Sequence, residues 1–278
     1  MTEDLFIDEW NVSTEHITTS FRSLLVPIDF SRVGDRALAT ANALASGSSV
    51  RVHLVTTLSP GIDPSRDEGD LLARAVRLGV DQTELHILET DEDVAAALGA
   101  TLEQLPSPLL CIASRGRTAV GDMIFASTTD QLLRRDRSPM LVVGPEADPG
   151  HVPETLCVCV DPAGAPRSLL SVARTWQRTF GGHIELVEVI QPARTSTPEP
   201  PSELVRAANS LRAPMRTIAS HDPAQALIEH AIDHDALLAL ATHARHGLAR
   251  VVLGSVAWEV IQRSPTPVLV APALAARE

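Results

Sequence analysis

Apolar residues in this chain fall into short unbroken runs separated by stretches of helical spacing. Residues 24–28 form such a run, suited to a strand buried on both faces of a parallel sheet. Ser31 then offers an N-cap, 33–45 carries a helical pattern, and Gly47 ends that helix. Val50, Val52, Leu54 and Thr56 alternate with Arg51 and His53, which predicts a second strand with one face more exposed. A loop rich in Pro, Gly and Asp at 59–69 leads into a helix over 71–78. A strand at 85–88, a helix at 91–105, a strand at 109–113, a helix near 127–135 and a strand ending at Val143 complete the series. Strands and helices in strict alternation predict a parallel sheet covered on both faces.

The series then repeats. Strands are predicted near 155–160, 183–190, 215–219, 236–241 and 267–271, and helices near 166–179, 202–211, 223–233 and 255–263, with a Pro- and Thr-rich loop at 191–201. Ala113-Ser114-Arg115-Gly116, nine residues and Ala126-Ser127-Thr128 have a counterpart in Ala241-Thr242-His243-Ala244, nine residues and Gly254-Ser255-Val256. The offset is 254 − 126 = 128, and Pro139 to Pro267 gives the same value, so the repeat is internal and in register. The first strand of each copy closes on an aspartate, Asp29 or Asp161. We expect an N-terminal arm at 1–20, a first domain at 21–146 and a second at 152–274. The linker between them is short and bounded by Pro145 and Pro153, which predicts halves that pack together.

Composition narrows the class. Hydrophobic residues at 44% and charged ones at 21% suit a globular chain, and aromatics at 3% with no Tyr leave the cores to Ala, Val, Leu and Ile. A formal charge of −12 repels a nucleic-acid backbone, and Arg134, Arg135 and Arg137 do not extend into a basic stripe. No apolar run reaches the roughly 18 residues of a membrane span, and Met1-Thr2-Glu3-Asp4 lacks the positive start of a secretory signal. Three cysteines cannot frame a disulfide scaffold, and Cys157 and Cys159, alternating on one strand, read as small core residues. These features together predict a cytoplasmic protein with no membrane and no nucleic-acid partner.

An apolar strand ending in Asp, a later turn of small residues, a nine-residue spacer, a small-Ser pair and a Pro-led final strand resemble the universal stress protein family, here in tandem over about 23–272. The resemblance implies two doubly wound α/β domains, each a five-stranded parallel sheet in the order 3-2-1-4-5 flanked by helices. It also implies antiparallel pairing of the two final strands, a pseudo-dimer within one chain, and further homodimerisation. Its nucleotide-binding members resemble Gly-x-x-Gly, nine residues, then Gly-Ser or Gly-Thr. The implied cofactor is an adenine nucleotide, ATP with Mg²⁺, held in at least one half.

Carried onto this sequence, the implied nucleotide set is Pro27, Asp29, Val55, Ala113, Gly116, Arg117, Ala126, Ser127 and Thr128 in the first half. In the second it is Asp161, Val189, Ala241, Ala244, Gly254, Ser255 and Val256. Asp29 and Asp161, with Val55 or Val189, would meet the adenine or ribose end. The glycine-rich turn lets backbone N–H groups approach a phosphate at a helix start. Four of the six glycine positions here are Ala. Alanine still donates its N–H where φ is negative but loses easy access to positive φ. Arg115 and Arg117, or His243, Arg245 and His246, could oppose phosphate charge. Plainer readings stand beside these: Asp29 and Asp161 as caps of the next helix, Ser127 and Ser255 as helix caps only.

His230 and His234 share a helix face, but no Cys or carboxylate set completes a zinc site, and no metal is expected. A Walker Gly-Lys-Ser/Thr and a Gly-x-Ser-x-Gly elbow are both absent. That argues for a binding or regulatory protein rather than an enzyme, with slow ATP hydrolysis left open. The rival is a divergent interaction protein of the same fold that takes no nucleotide.

Overall fold

The structure is a computed structural model that describes residues 20–79, 83–90, 93–114, 128–135, 138–161, 166–190, 192, 202–244 and 251–272. The expected arm at 1–19 and nearly all of the 191–201 loop lie outside them.

The first half runs β1 (Ser23–Pro27), α1 (Gly34–Ala45), β2 (Arg51–Leu58), α2 (Ser65–Leu78), β3 (Thr83–Glu89), α3 (Val94–Gln104), β4 (Pro108–Ala113), α4 (Thr128–Arg135) and β5 (Met140–Val143). The second runs β6 (Thr155–Val160), α5 (Arg167–Phe180), β7 (His183–Ile190), α6 (Ser202–Leu211), β8 (Met215–Ala219), α7 (Pro223–His234) and β9 (Ala236–Ala241). A short ribbon of β10 (His243–Ala244) and β11 (Val251–Val252), α8 (Ser255–Arg263) and β12 (Val268–Ala271) follow. All the larger strands join one sheet of order β3-β2-β1-β4-β5-β12-β9-β6-β7-β8. Each half is thus a doubly wound α/β unit in the order 3-2-1-4-5, as the resemblance implies. The two-residue ribbon has no counterpart in the apolar pattern, because two residues are too few to show a period.

Pairing is parallel within each half and antiparallel at the seam, where Val268, Leu269 and Val270 oppose Val142, Leu141 and Met140. Leu141 faces Leu269, its own repeat equivalent at the offset of 128, so an approximate two-fold axis passes between them. Both strands are buried along their whole length, as an apolar run covered on both faces requires. The outer strands β3 and β8 are the ones left partly exposed.

Helices cover both faces through narrow apolar stripes. Leu169, Val172, Ala173 and Trp176 of α5 join Ala37, Ala41 and Leu44 of α1 in one core layer, while Leu98 and Leu102 of α3 join Leu227, Ala231, Val260 and Ile261 of α7 and α8 in the other. Each layer is continuous across the seam. Three of the five Phe and Trp among the described residues gather where the halves meet: Phe180 lies 4.6 Å from Trp176 and 6.2 Å from Phe21 between ring centroids, and Phe21 N–H donates to Thr179 Oγ1 at 2.8 Å. Asp93 and Asp222 cap α3 and α7 by accepting from Ala96 N and Gln225 N, both at 3.0 Å. The linker is tied to both halves. Arg36 donates to Gly144 O at 2.8 Å and Ala147 O at 2.5 Å, and Asp148 N to Pro265 O at 2.8 Å.

Two expectations need correction. His53 is not on an exposed face: β2 lies between β3 and β1, and His53 is 2% exposed. The second helix starts at Ser65, not 71, because its first turns are polar and outward-facing and so show no apolar period. Gly47 directly follows Ser46, the C-cap of α1, so the helix ends where expected, with no positive φ at Gly47.

Gly144 lies so close to α8 that a Cβ there would stand 1.9 Å from Ile261 O, whereas one at Gly47 would meet nothing. Gly144→Ala is therefore expected to lower stability by about 1–3 kcal/mol through overpacking, with Gly47→Ala within about 0.5 kcal/mol of the parent. Urea denaturation midpoints check both, and equal midpoints would contradict the close approach.

Candidate functional site

Each half opens a crevice at its strand-order switch, between its first and fourth strands. The β1–β4 register ends at Leu25↔Leu110, although β1 runs to Pro27 and β4 to Ala113. Past that point Ile28 N donates to Val55 O at 2.8 Å, so the chain stays on β2 and leaves β4. In the second half the β6–β9 register ends at Val158↔Ala239, although the strands reach Val160 and Ala241. Both copies splay, the second one pair later than the first.

At the first crevice Asp29 is exposed, and its Oδ1 accepts from Ser31 N at 3.0 Å and Ser31 Oγ at 2.6 Å. Ser31 Oγ in turn accepts from Gly34 N at 3.1 Å. Asp29 Oδ1 thus holds Ser31, and Ser31 Oγ takes the N–H of the first residue of α1, so the cap reading reaches Asp29 only through Ser31. A Cβ at Gly34 would stand 2.5 Å from Asp29 Oδ1, which explains a glycine in the first turn. The next residue, Phe30, holds a left-handed φ of 56°, unusual for a bulky side chain. Arg74 lies 5.0 Å from its ring centroid and pairs with Asp35 at 2.9 Å. Pro27 and Ala113 are half-buried, whereas Val55 is fully buried with its carbonyl already engaged. Thr128 opens α4. Arg115, Gly116, Arg117, Ala126 and Ser127 lie outside the described residues.

More of the second crevice is described. Asp161 is exposed at the end of β6, and Val189 and Ala241 are half-buried. Ala244 lies in the β10–β11 ribbon, which folds the chain back toward α8. Arg245 and His246 lie outside the described residues. Gly254 is the N-cap of α8 with φ −66° and ψ 159°, an extended geometry that alanine also adopts. Ser255 is the first helical residue, exposed, and no side chain caps this helix. The cap-only reading of Ser255 is therefore not what the structure contains. Helical hydrogen bonding starts with Trp258 N to Gly254 O at 2.9 Å, so the N–H groups of Ser255, Val256 and Ala257 point outward at the positive end of α8.

Sequence reasoning passed over Ser114 and Thr242, which are related by the same offset of 128. Their N–H groups donate to Val143 O at 2.9 Å and Ala271 O at 3.0 Å, and both side chains are buried where the loop leaves the sheet. The repeat offset was the available signal. His230 and His234 stack at 4.1 Å, but His230 Nε2 meets Glu185 Oε2 at 3.1 Å while His234 Nδ1 meets the His230 carbonyl at 3.0 Å, so they aim at no common point. Cys111 is a buried thiol whose pKa burial pushes up to about 12. The neighbouring Cys159, together with burial, pushes Cys157 well above the usual range. Both read as core residues rather than nucleophiles.

The chain matches the universal stress protein family over residues 20–144 and again over 154–272. It belongs to that family. A comparison with curated protein sequences finds no match. Among solved structures, a universal stress protein from Archaeoglobus fulgidus DSM 4304 superposes with a TM-score of 0.66 at 14% identity, covering 94% of this chain and 100% of that one. A protein of unknown function from Pseudomonas aeruginosa PAO1 gives 0.61 at 18%, covering 92% and 94%. At such identities these likenesses speak for the fold. In this universal stress protein, no helix among the described residues is long and apolar enough to cross a membrane.

One buried charge cluster braces the second half. Burial acts to raise Glu185, but hydrogen bonds from Arg216 and His230 outweigh it and hold the carboxyl below its ordinary value. The Cys157 sulfur and, against burial, the Glu185 carboxylate hold His230 above its own. Stability from His230 is complete below its ordinary value of 6.5 and is lost as pH rises through the raised one. Stability from Glu185 is complete above its ordinary 4.5 and is lost as pH falls through the lowered one. The cluster therefore contributes most between those values. Glu185→Gln should flatten the stability profile on both sides, read as urea midpoints at acid, mild and alkaline pH; a variant with the parent's profile would contradict the pairing.

Proposed function

We propose that this universal stress protein is a stress-response binding module that holds an adenine nucleotide, ATP with Mg²⁺, in at least one of its crevices. The observation that carries the reading is the α8 N-terminus. A glycine cap with no side chain in the way, three outward N–H groups and the exposed Ser255 hydroxyl sit at the switch point of a splayed sheet. Such a start fits a phosphate, and the exposed Asp161 at the end of β6 supports a contact to the ribose. No lysine of a Walker loop accompanies them, so the module binds rather than hydrolyses efficiently. The cytoplasm remains its expected compartment, and Leu72 and Val76, exposed one turn apart on α2, offer apolar surface for pairing two chains.

A second reading has its own observation. Asp29 Oδ1 is engaged by Ser31 N and Oγ, and four of the six glycine positions carry Ala, as in a divergent interaction protein whose crevices take no nucleotide.

Calorimetric titration of nucleotide-stripped protein with Mg·ATP, AMP and GTP separates the two. We expect one or two sites per chain with ATP preferred, and Gly254→Val to weaken binding at least about tenfold, or 1.4 kcal/mol, with the melting curve showing the variant folded. No heat and no thermal shift up to millimolar nucleotide would overturn the first reading in favour of the second.

A further inference from the structure

Away from the crevices, β2 and β3 bring three potential metal ligands together. His53 pairs with Glu84 in the strand register, and His86 lies two residues further along β3. His53 Nδ1 is 3.0 Å from His86 Nε2 and 3.4 Å from Glu84 Oε2, and the latter two atoms are 4.0 Å apart. A point equidistant from these three atoms lies about 2.1 Å from each, the bond length zinc takes to imidazole and carboxylate. The other carboxylate oxygen, Glu84 Oε1, is held by Arg51 Nη1 at 2.9 Å, so Oε2 is turned toward the histidines. His53 Nε2 is buried without a hydrogen-bond partner among the described residues. The ring is thus fixed, on its polar side, through Nδ1 alone.

The chemistry of the triangle favours a cation over a shared proton. One proton between the imidazoles, or between His53 and the carboxylate, satisfies two of the inward atoms and leaves the third lone pair facing them. A divalent cation satisfies all three. We propose that His53, Glu84 and His86 form a zinc site in the first half. The site has three protein ligands and room for solvent, and it is separate from the nucleotide crevice. Imidazole and carboxylate donors suit zinc rather than magnesium, which takes oxygen octahedra. Access comes from the sheet edge, since β3 is outermost and both Glu84 and His86 reach solvent. The second half does not repeat the site: Glu185, third in β7 as His53 is third in β2, is paired with Arg216 and His230. One ion per chain follows.

The test uses the full chain, stripped of metal and nucleotide, titrated calorimetrically with Zn²⁺ and followed by visible absorption with Co²⁺. The expected result is one ion per chain, with tetrahedral Co²⁺ bands and no thiolate charge transfer. His86→Asn and Glu84→Gln, both at partly exposed positions, should each weaken Zn²⁺ binding at least about tenfold. His221→Asn, exposed in the other half, should leave it unchanged. No Zn²⁺ binding, binding indifferent to both ligand variants, or a Co²⁺–thiolate band would overturn the assignment.

Discussion

The antiparallel contact of β5 with β12 is the constraint on which the rest of the molecule depends. A five-stranded unit in the order 3-2-1-4-5 ends on an apolar strand with one unpaired edge, open to any other chain. Here each half satisfies the other. Leu141 and Leu269 meet at the approximate axis, both fully buried. The linker that makes this possible is tied to α1 by Arg36 and lets α8 approach through Gly144. Because strands run parallel within a half and opposite across the seam, the two crevices open at opposite ends of the sheet. Occupation of one does not crowd the other. The halves are therefore free to diverge chemically while sharing one pair of core layers.

Much of this was legible in the sequence, for identifiable reasons. Buried parallel strands such as 24–28 and 236–241 read as apolar runs because both faces are covered, and the Asp caps before α3 and α7 mark helix starts. The offset of 128 carried the repeat. What failed was local exposure. His53 shares its parity with Arg51 and so reads as solvent-facing, yet Arg51 at the strand's start is exposed while residues 52–56 are all buried. The Ser65 start of α2 was hidden by polar outward turns.

The candidate sites were legible only in part. The helix start at Ser255 and the aspartates at the ends of β1 and β6 came from spacing, but the double role of Asp29 could be decided only by where Ser31 and Gly34 fold around it. The meeting of His53, Glu84 and His86 depends on register between strands separated by a helix, which no periodicity encodes. Local spacing pairs His230 with His234 instead, but the fold assigns only His230 to the charge cluster with Glu185 and leaves His234 on the His230 carbonyl.

Hydrogen exchange read by mass spectrometry, with and without Mg·ATP, addresses the central claim most directly, that a seam-fused pair leaves a working crevice at its second switch point. The account predicts deep protection in β5 and β12 throughout. Added nucleotide should slow exchange at Val160–Asp161, Ala241–Ala244 and Gly254–Trp258. Exchange at β5 and β12 as fast as at the outer strands, or no nucleotide effect on those three segments, would contradict it.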